Sequence, residues 1–80
     1  MARPEIYEKL TRVLRDVFDD DDLVARPDLT ASEVEDWDSL THIRLMLSVE
    51  RAFNVKFSAA EVGHLKNVGE LADLIQNKSA

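Results

Sequence analysis

Asp38-Ser39-Leu40-Thr41-His42-Ile43-Arg44-Leu45-Met46-Leu47-Ser48-Val49-Glu50-Arg51-Ala52-Phe53 is the stretch that decides the fold. It opens on a short carboxylate followed by a hydroxyl, the chemistry of a helix N-cap. Its apolar residues then recur at helical spacing. A helix from about Ser39 to Phe53, capped by Asp38, follows. At about 100° per residue from Leu40, the residues Leu45, Met46, Val49, Ala52 and Phe53 fall within an arc of roughly 120–240°, the core face. Leu40, Ile43 and Leu47 fall almost opposite, at roughly 0°, 300° and 340°, with Arg44 and Arg51 at roughly 40° and 20°. A chain of 80 residues can hardly bury one helix on both sides. The Leu40/Ile43/Leu47 stripe is therefore expected in solvent, where an apolar patch rimmed by charge marks a protein-binding surface; the alternative is that the loop before this helix, which carries spare apolar residues, folds back and covers it.

Helical spacing extends outward from this segment. A first helix is expected to start near Pro4, whose missing N–H suits a first turn. Ile6, Leu10, Val13, Leu14 and Val17 form its stripe, with Phe18 at the edge. The aspartates at 19–22 end it, because a block of negative charge opposes the helix dipole at a C-terminus. From Asp19 to Trp37 the pattern is too irregular for a long helix, yet Leu23, Val24, Leu29, Val34 and Trp37 predict a loop lying across the core. Thr30-Ala31-Ser32-Glu33 has capping-box spacing and predicts a short helical turn. Ser58-Ala59-Ala60-Glu61 repeats that spacing and opens a short third helix ending near Gly63. Asn67-Val68-Gly69-Glu70 opens a fourth, with Val68, Leu71, Ala72, Leu74 and Ile75 as its stripe. The only strand-like segment, Asn54-Val55-Lys56-Phe57, is too short for a sheet. The expected architecture is all-α: a small four-helix bundle with a long loop between the first and second helices, residues 1–80 forming a single domain.

Charge and composition exclude several functions. The net charge is −6, and it is unevenly spread. Residues 1–40 hold 12 acidic and 5 basic side chains, net −7, and residues 41–80 hold 4 and 5, net +1. Such a field repels nucleic acid. The chain has no cysteine, so it offers no disulfide, no thiolate nucleophile and no zinc–thiolate site. No apolar run reaches the length of a signal peptide or the ~20 residues of a membrane span. A cytoplasmic protein is the expectation.

Ser39 and His42 are three apart on one helix and could meet. A serine hydrolase also needs an oriented base, an oxyanion hole and a cleft. The only glycines, Gly63 and Gly69, provide no glycine-rich turn for such a hole. His42 points to the core side and reads as a packed or hydrogen-bonded histidine, and His64 as a surface residue. An EF-hand loop starting at Asp20 would place Val24 at its fifth position, Ala25 where glycine is needed and Ala31 where the bidentate glutamate belongs, so that motif fails. No catalytic group and no metal cluster is expected.

On these residues the chain resembles the acyl carrier proteins. Asp38-Ser39-Leu40 is similar to that family's Asp-Ser-Leu motif, whose serine carries a 4′-phosphopantetheine arm. The order long helix, long loop, Asp-Ser-Leu helix, short helix, final helix matches along nearly the whole chain. Glu50-Arg51-Ala52-Phe53-Asn54-Val55 looks like the end of the family's second helix. The resemblance implies a stand-alone carrier that is not an enzyme. A phosphopantetheinyl transferase would use the Ser39 hydroxyl to attack the β-phosphate of coenzyme A, with Asp38 and Leu40 flanking the attachment point and magnesium held mainly by the transferase. The arm would then present acyl or aminoacyl groups as thioesters to a loading ligase or transferase and to downstream biosynthetic enzymes. Leu40, Ile43, Arg44, Leu47, Glu50 and Arg51 match positions used for docking, and a monomer is implied. Where the fatty-acid-synthesis carriers have a strongly acidic second helix, this chain has Arg44 and Arg51, and Trp37 precedes Asp38 where a glycine-containing turn is usual. These departures point to a specialised pathway rather than housekeeping fatty-acid synthesis. The alternative is an unmodified carrier-like interaction module that works through the apolar patch alone.

Overall fold

Pro4 lies in the first turn of α1 (Arg3–Phe18), where a missing N–H leaves nothing unpaired. The computed structural model describes residues 2–79. Among them are three further α-helices, α2 (Ser39–Phe53), α3 (Ala59–Gly63) and α4 (Val68–Ser79), with a 3-10 turn at Ala31–Glu33 and no strand. The fold is an all-α four-helix bundle with its long connection between α1 and α2. None of these helices is long and apolar enough to cross a membrane.

The helix ends follow local chemistry. α1 stops at Asp19, which takes the left-handed conformation (φ 51°) and donates its N–H to the Arg15 carbonyl. Asp and Asn tolerate that conformation better than most residues, and Asn54 ends α2 in the same way (φ 55°). The capping boxes expected at Thr30/Glu33 and Ser58/Glu61 both form. At the start of α4 the Glu70 N–H donates to the Asn67 side chain at 2.9 Å.

α1 packs along α2 and less extensively along α4. Its fully buried stripe is Ile6, Leu10 and Leu14, and Phe18 belongs to the core rather than its edge. Val13 and Val17 are half-buried beside it. α2 contributes Leu45, Met46, Val49 and Phe53, and α4 contributes Val68, Leu71, Ala72 and Ile75; Leu74 is half-buried. Fully burying a side chain of this kind contributes about 1.5–3 kcal/mol, so these stripes hold the bundle together.

The loop from 19 to 37 is pinned at both flanks. On α1, the Thr11 hydroxyl accepts the Ala25 N–H at 2.9 Å, and the Arg15 Nε donates to the Leu23 carbonyl at 2.8 Å. On α4, the Val68 and Gly69 N–H groups donate to the Leu29 and Pro27 carbonyls at 2.9 and 3.0 Å. Leu29 and Val34 are buried, as a loop crossing the core requires. Val24 departs from the expectation: it is exposed, and Ala25 takes the buried position, because the Thr11 bond turns Ala25 inward.

Gly69 is set by this docking. A Cβ there would lie 2.8 Å from the Pro27 carbonyl oxygen, a backbone atom that cannot swing away. Helix propensity alone favours alanine over glycine by roughly 0.5–1 kcal/mol. Gly69→Ala is nevertheless expected to destabilise the protein by about 1–3 kcal/mol, the usual cost of forcing extra atoms into packed structure. Urea unfolding followed by Trp37 fluorescence checks this, and a midpoint equal to or above that of the wild type would show that the loop yields freely.

Candidate functional site

The site begins at the head of α2. The Asp38 carboxylate accepts the Thr41 N–H at 2.9 Å and also lies 2.7 Å from the Thr41 hydroxyl. That hydroxyl accepts the Asp38 N–H at 2.8 Å, closing a capping box in which threonine stands where glutamate is usual. The Thr41 hydroxyl has one hydrogen, for Asp38 Oδ1 or for the Asp36 carbonyl at 2.6 Å. The Thr41 N–H, followed by the Thr41 hydroxyl, holds the Asp38 carboxyl below its ordinary value.

Ser39 is the first residue of the helix and is exposed. Its hydroxyl makes no hydrogen bond among the described residues. It stands free at the positive end of a 15-residue helix, where negatively charged groups are favoured.

His42, one turn on, is fully occupied. Its Nδ1 accepts the Trp37 Nε1–H at 3.1 Å, so Nε2 carries the proton and donates to the Val62 carbonyl at 3.0 Å. The Trp37 ring lies against His42 with centroids 6.1 Å apart and against Phe18 at 5.4 Å. With both ring nitrogens engaged, His42 is no base for Ser39. It joins the loop, α2 and α3 into one unit. Beside it opens a groove of about 560 Å³ running from Asp38 and Ser39, between α2 and α3, to Val68 and Leu71 on α4.

The outer face of α2 is bare. Leu40, Ile43 and Leu47 are 69%, 55% and 56% exposed, as the helical geometry requires, and the long loop does not fold over them. Arg44 and Arg51 are exposed beside them, and neither makes an ion pair among the described residues. Glu50 departs from this face. It is half-buried, and its Oε2 accepts the Phe57 N–H at 2.7 Å, fastening the segment after α2. Helical spacing alone could not show this, because the partner lies outside the helix.

The aspartates at 19–22 are exposed. Asp20 accepts the Asp22 N–H at 3.0 Å. Among the described residues, no cluster of histidine, aspartate or glutamate has the geometry to hold a metal ion.

The family model described as a phosphopantetheine attachment site matches residues 8–75, which include all of the geometry above. An acyl carrier protein of Thermosynechococcus vestitus is 31% identical over 80 residues, covering 100% of this chain and 99% of the relative. One of Coprothermobacter proteolyticus is 29% identical over 79 residues, covering 96% and 94%. The solution NMR structure of a holo acyl carrier protein from Geobacter metallireducens superposes with a TM-score of 0.84 at 43% identity, covering 90% of this chain and 83% of that one.

Two outcomes follow from the geometry. His42→Ala leaves the Trp37 N–H and the Val62 carbonyl without partners, and an unsatisfied group of this kind costs about 1–3 kcal/mol. The urea midpoint is expected to fall and Trp37 emission to shift red; an unchanged midpoint would mean that water replaces the imidazole at no cost. The depressed Asp38 carboxyl stabilises the fold at pH above its ordinary unfolded value, and that stability is lost as pH falls through the lower folded value. Protection of the first-turn amides of α2, taken against the intrinsic exchange rate at each pH, is expected to fall on acidification in the wild type and to hold in Asp38→Asn, which caps without titrating.

Proposed function

The chain belongs to the phosphopantetheine-attachment family, and from that premise we propose that it is a stand-alone carrier modified at Ser39 and docked through the outer face of α2. A member of this family holds acyl groups on a 4′-phosphopantetheine arm and does not itself catalyse. Its partners include the phosphopantetheinyl transferase that attaches the arm and the biosynthetic enzymes that use the cargo. The free, exposed hydroxyl of Ser39 at the capped start of α2 is the observation that carries the assignment.

The residues fit the arm. Ser39 Oγ is open to solvent and carries no bond that must first break. As it forms its bond to the β-phosphorus of coenzyme A, the nucleotide half leaves and the transferase takes the serine proton. The product is a phosphodiester at the positive end of α2. The arm brings a terminal thiol, which supplies the thioester chemistry that a chain without cysteine lacks. Asp38 acts by capping the helix, which fixes where Ser39 points. Leu40 adjoins the serine on the exposed stripe, so a partner that reaches Ser39 also meets Leu40, Ile43 and Leu47.

The further particulars are that residues 1–80 act as one unit, monomeric and in the cytoplasm. The cargo is acyl or aminoacyl, loaded by a dedicated ligase or transferase of a specialised pathway. Arg44 and Arg51 on the docking helix favour that pathway assignment.

Incubation with coenzyme A, magnesium and a broad-specificity phosphopantetheinyl transferase is expected to add the mass of one phosphopantetheine, and Ser39→Ala to add none. A folded wild-type sample that gains no mass would overturn the carrier reading and leave the unmodified interaction module. A gain that persists in Ser39→Ala would move the site. Leu47→Asp is expected to keep its helicity by circular dichroism while slowing productive use by a partner. Global unfolding of that variant would make the stripe part of the core.

A further inference from the structure

Resting on the reading of α2 as a docking helix, we propose that its partner presents carboxylates there: an apolar pocket flanked by Asp or Glu side chains on an enzyme that handles the cargo. The inference comes from which charges α2 leaves free. Among its residues, Arg44 and Arg51 are its cations and Glu50 its one anion. Both arginines are exposed on the side of Leu40 and Leu47, and neither meets a carboxylate among the described residues. Glu50, the helix's one anion, is half-buried and accepts the Phe57 N–H. The outer face of α2 is therefore apolar with a cationic rim, on a molecule whose net charge is −6.

Arginines that had only to keep the protein soluble would sit anywhere on its surface. These two border a helix face with three large exposed apolar residues, Leu40, Ile43 and Leu47. Docking there desolvates both guanidiniums, and a desolvated cation needs an acceptor. A basic partner surface would leave the two charges unpaired and repelled. Nucleic acid, with phosphates enough to pair them, is opposed by the ten carboxylates between Asp16 and Asp38. A protein surface with local carboxylates around an apolar pocket meets both demands.

The test places a benzophenone amino acid in place of Leu47, at the centre of the patch, in the arm-loaded protein. The protein is irradiated in extract of the source organism, and the crosslinked peptide is sequenced. The expected result is a segment of one enzyme with Asp or Glu flanking apolar residues. Its yield should fall about tenfold with Arg44→Glu or Arg51→Glu, since like charges placed together oppose docking. It should hold with Arg12→Glu, which makes the same charge change on the exposed side of α1. A basic crosslinked segment, or a yield that rises with Arg44→Glu, overturns the proposal. So does no crosslink, or a crosslink to a second copy through its own aspartates at 19–22. Retention on vesicles containing anionic lipid in place of any protein crosslink overturns it as well. Intact mass reports separately on Ser39, so a carrier that takes its arm and crosslinks to a basic segment loses only the charge assignment. A chain that refuses the arm loses the carrier reading, while its unmodified form still reports through Leu47.

Discussion

α2 can be covered on one side only, and the rest of the structure depends on that constraint. α1, α4 and buried residues of the long loop share one core with Leu45, Met46, Val49 and Phe53. Burying an exposed leucine or isoleucine is worth about 1.5–3 kcal/mol each, yet none of the described residues covers Leu40, Ile43 and Leu47. The loop could have done so. It is held away by its bonds to Thr11, Arg15, Val68 and Gly69, which draw it over α1 and α4. The fold thus leaves an exposed apolar stripe beside the exposed hydroxyl of Ser39.

Around that surface the polar residues divide between holding and presenting. Asp38 and Thr41 satisfy one another and the first turn of α2. Trp37, His42 and the Val62 carbonyl form a chain that fastens the end of the loop and α3 to α2. These bonds fix the position of Ser39 without touching its hydroxyl. A modification site needs this combination: a rigid address for the modifying enzyme, and a side chain with no internal partner to give up. A catalytic serine would need the opposite, a base aimed at the oxygen, and the one candidate base is committed elsewhere.

Much of this was legible in the sequence because it is local. Caps are decided within three or four residues, so Asp38, Thr30/Glu33 and Ser58/Glu61 could be read directly. The two faces of α2 followed from helical period alone. What escaped were contacts between residues distant in the chain. Gly69 reads as a poor helix former until the Pro27 carbonyl is seen against it. Ala25 lies inside and Val24 outside because of Thr11, fourteen residues earlier. Glu50 looks like a surface charge until the Phe57 N–H is found beneath it. Even at the cap, the role of Thr41 was hidden, because a hydroxyl in place of a glutamate is a weaker sequence signal for the same reciprocal bond.

The charge distribution gives approach and docking different rules. At long range a partner feels chiefly the net charge of −6, and ordinary salt damps that field over about 8–10 Å. At contact it meets α2, whose free charges are two cations. A uniformly basic enzyme would be drawn in by the first and refused by the second. A uniformly acidic enzyme would be slowed before the arginines could act. The surface that satisfies both carries little net charge at long range and places its carboxylates locally, around a pocket for Leu40, Ile43 and Leu47. On the proposed docking face the aspartates at 19–22 would then bear on approach and the arginines of α2 on contact.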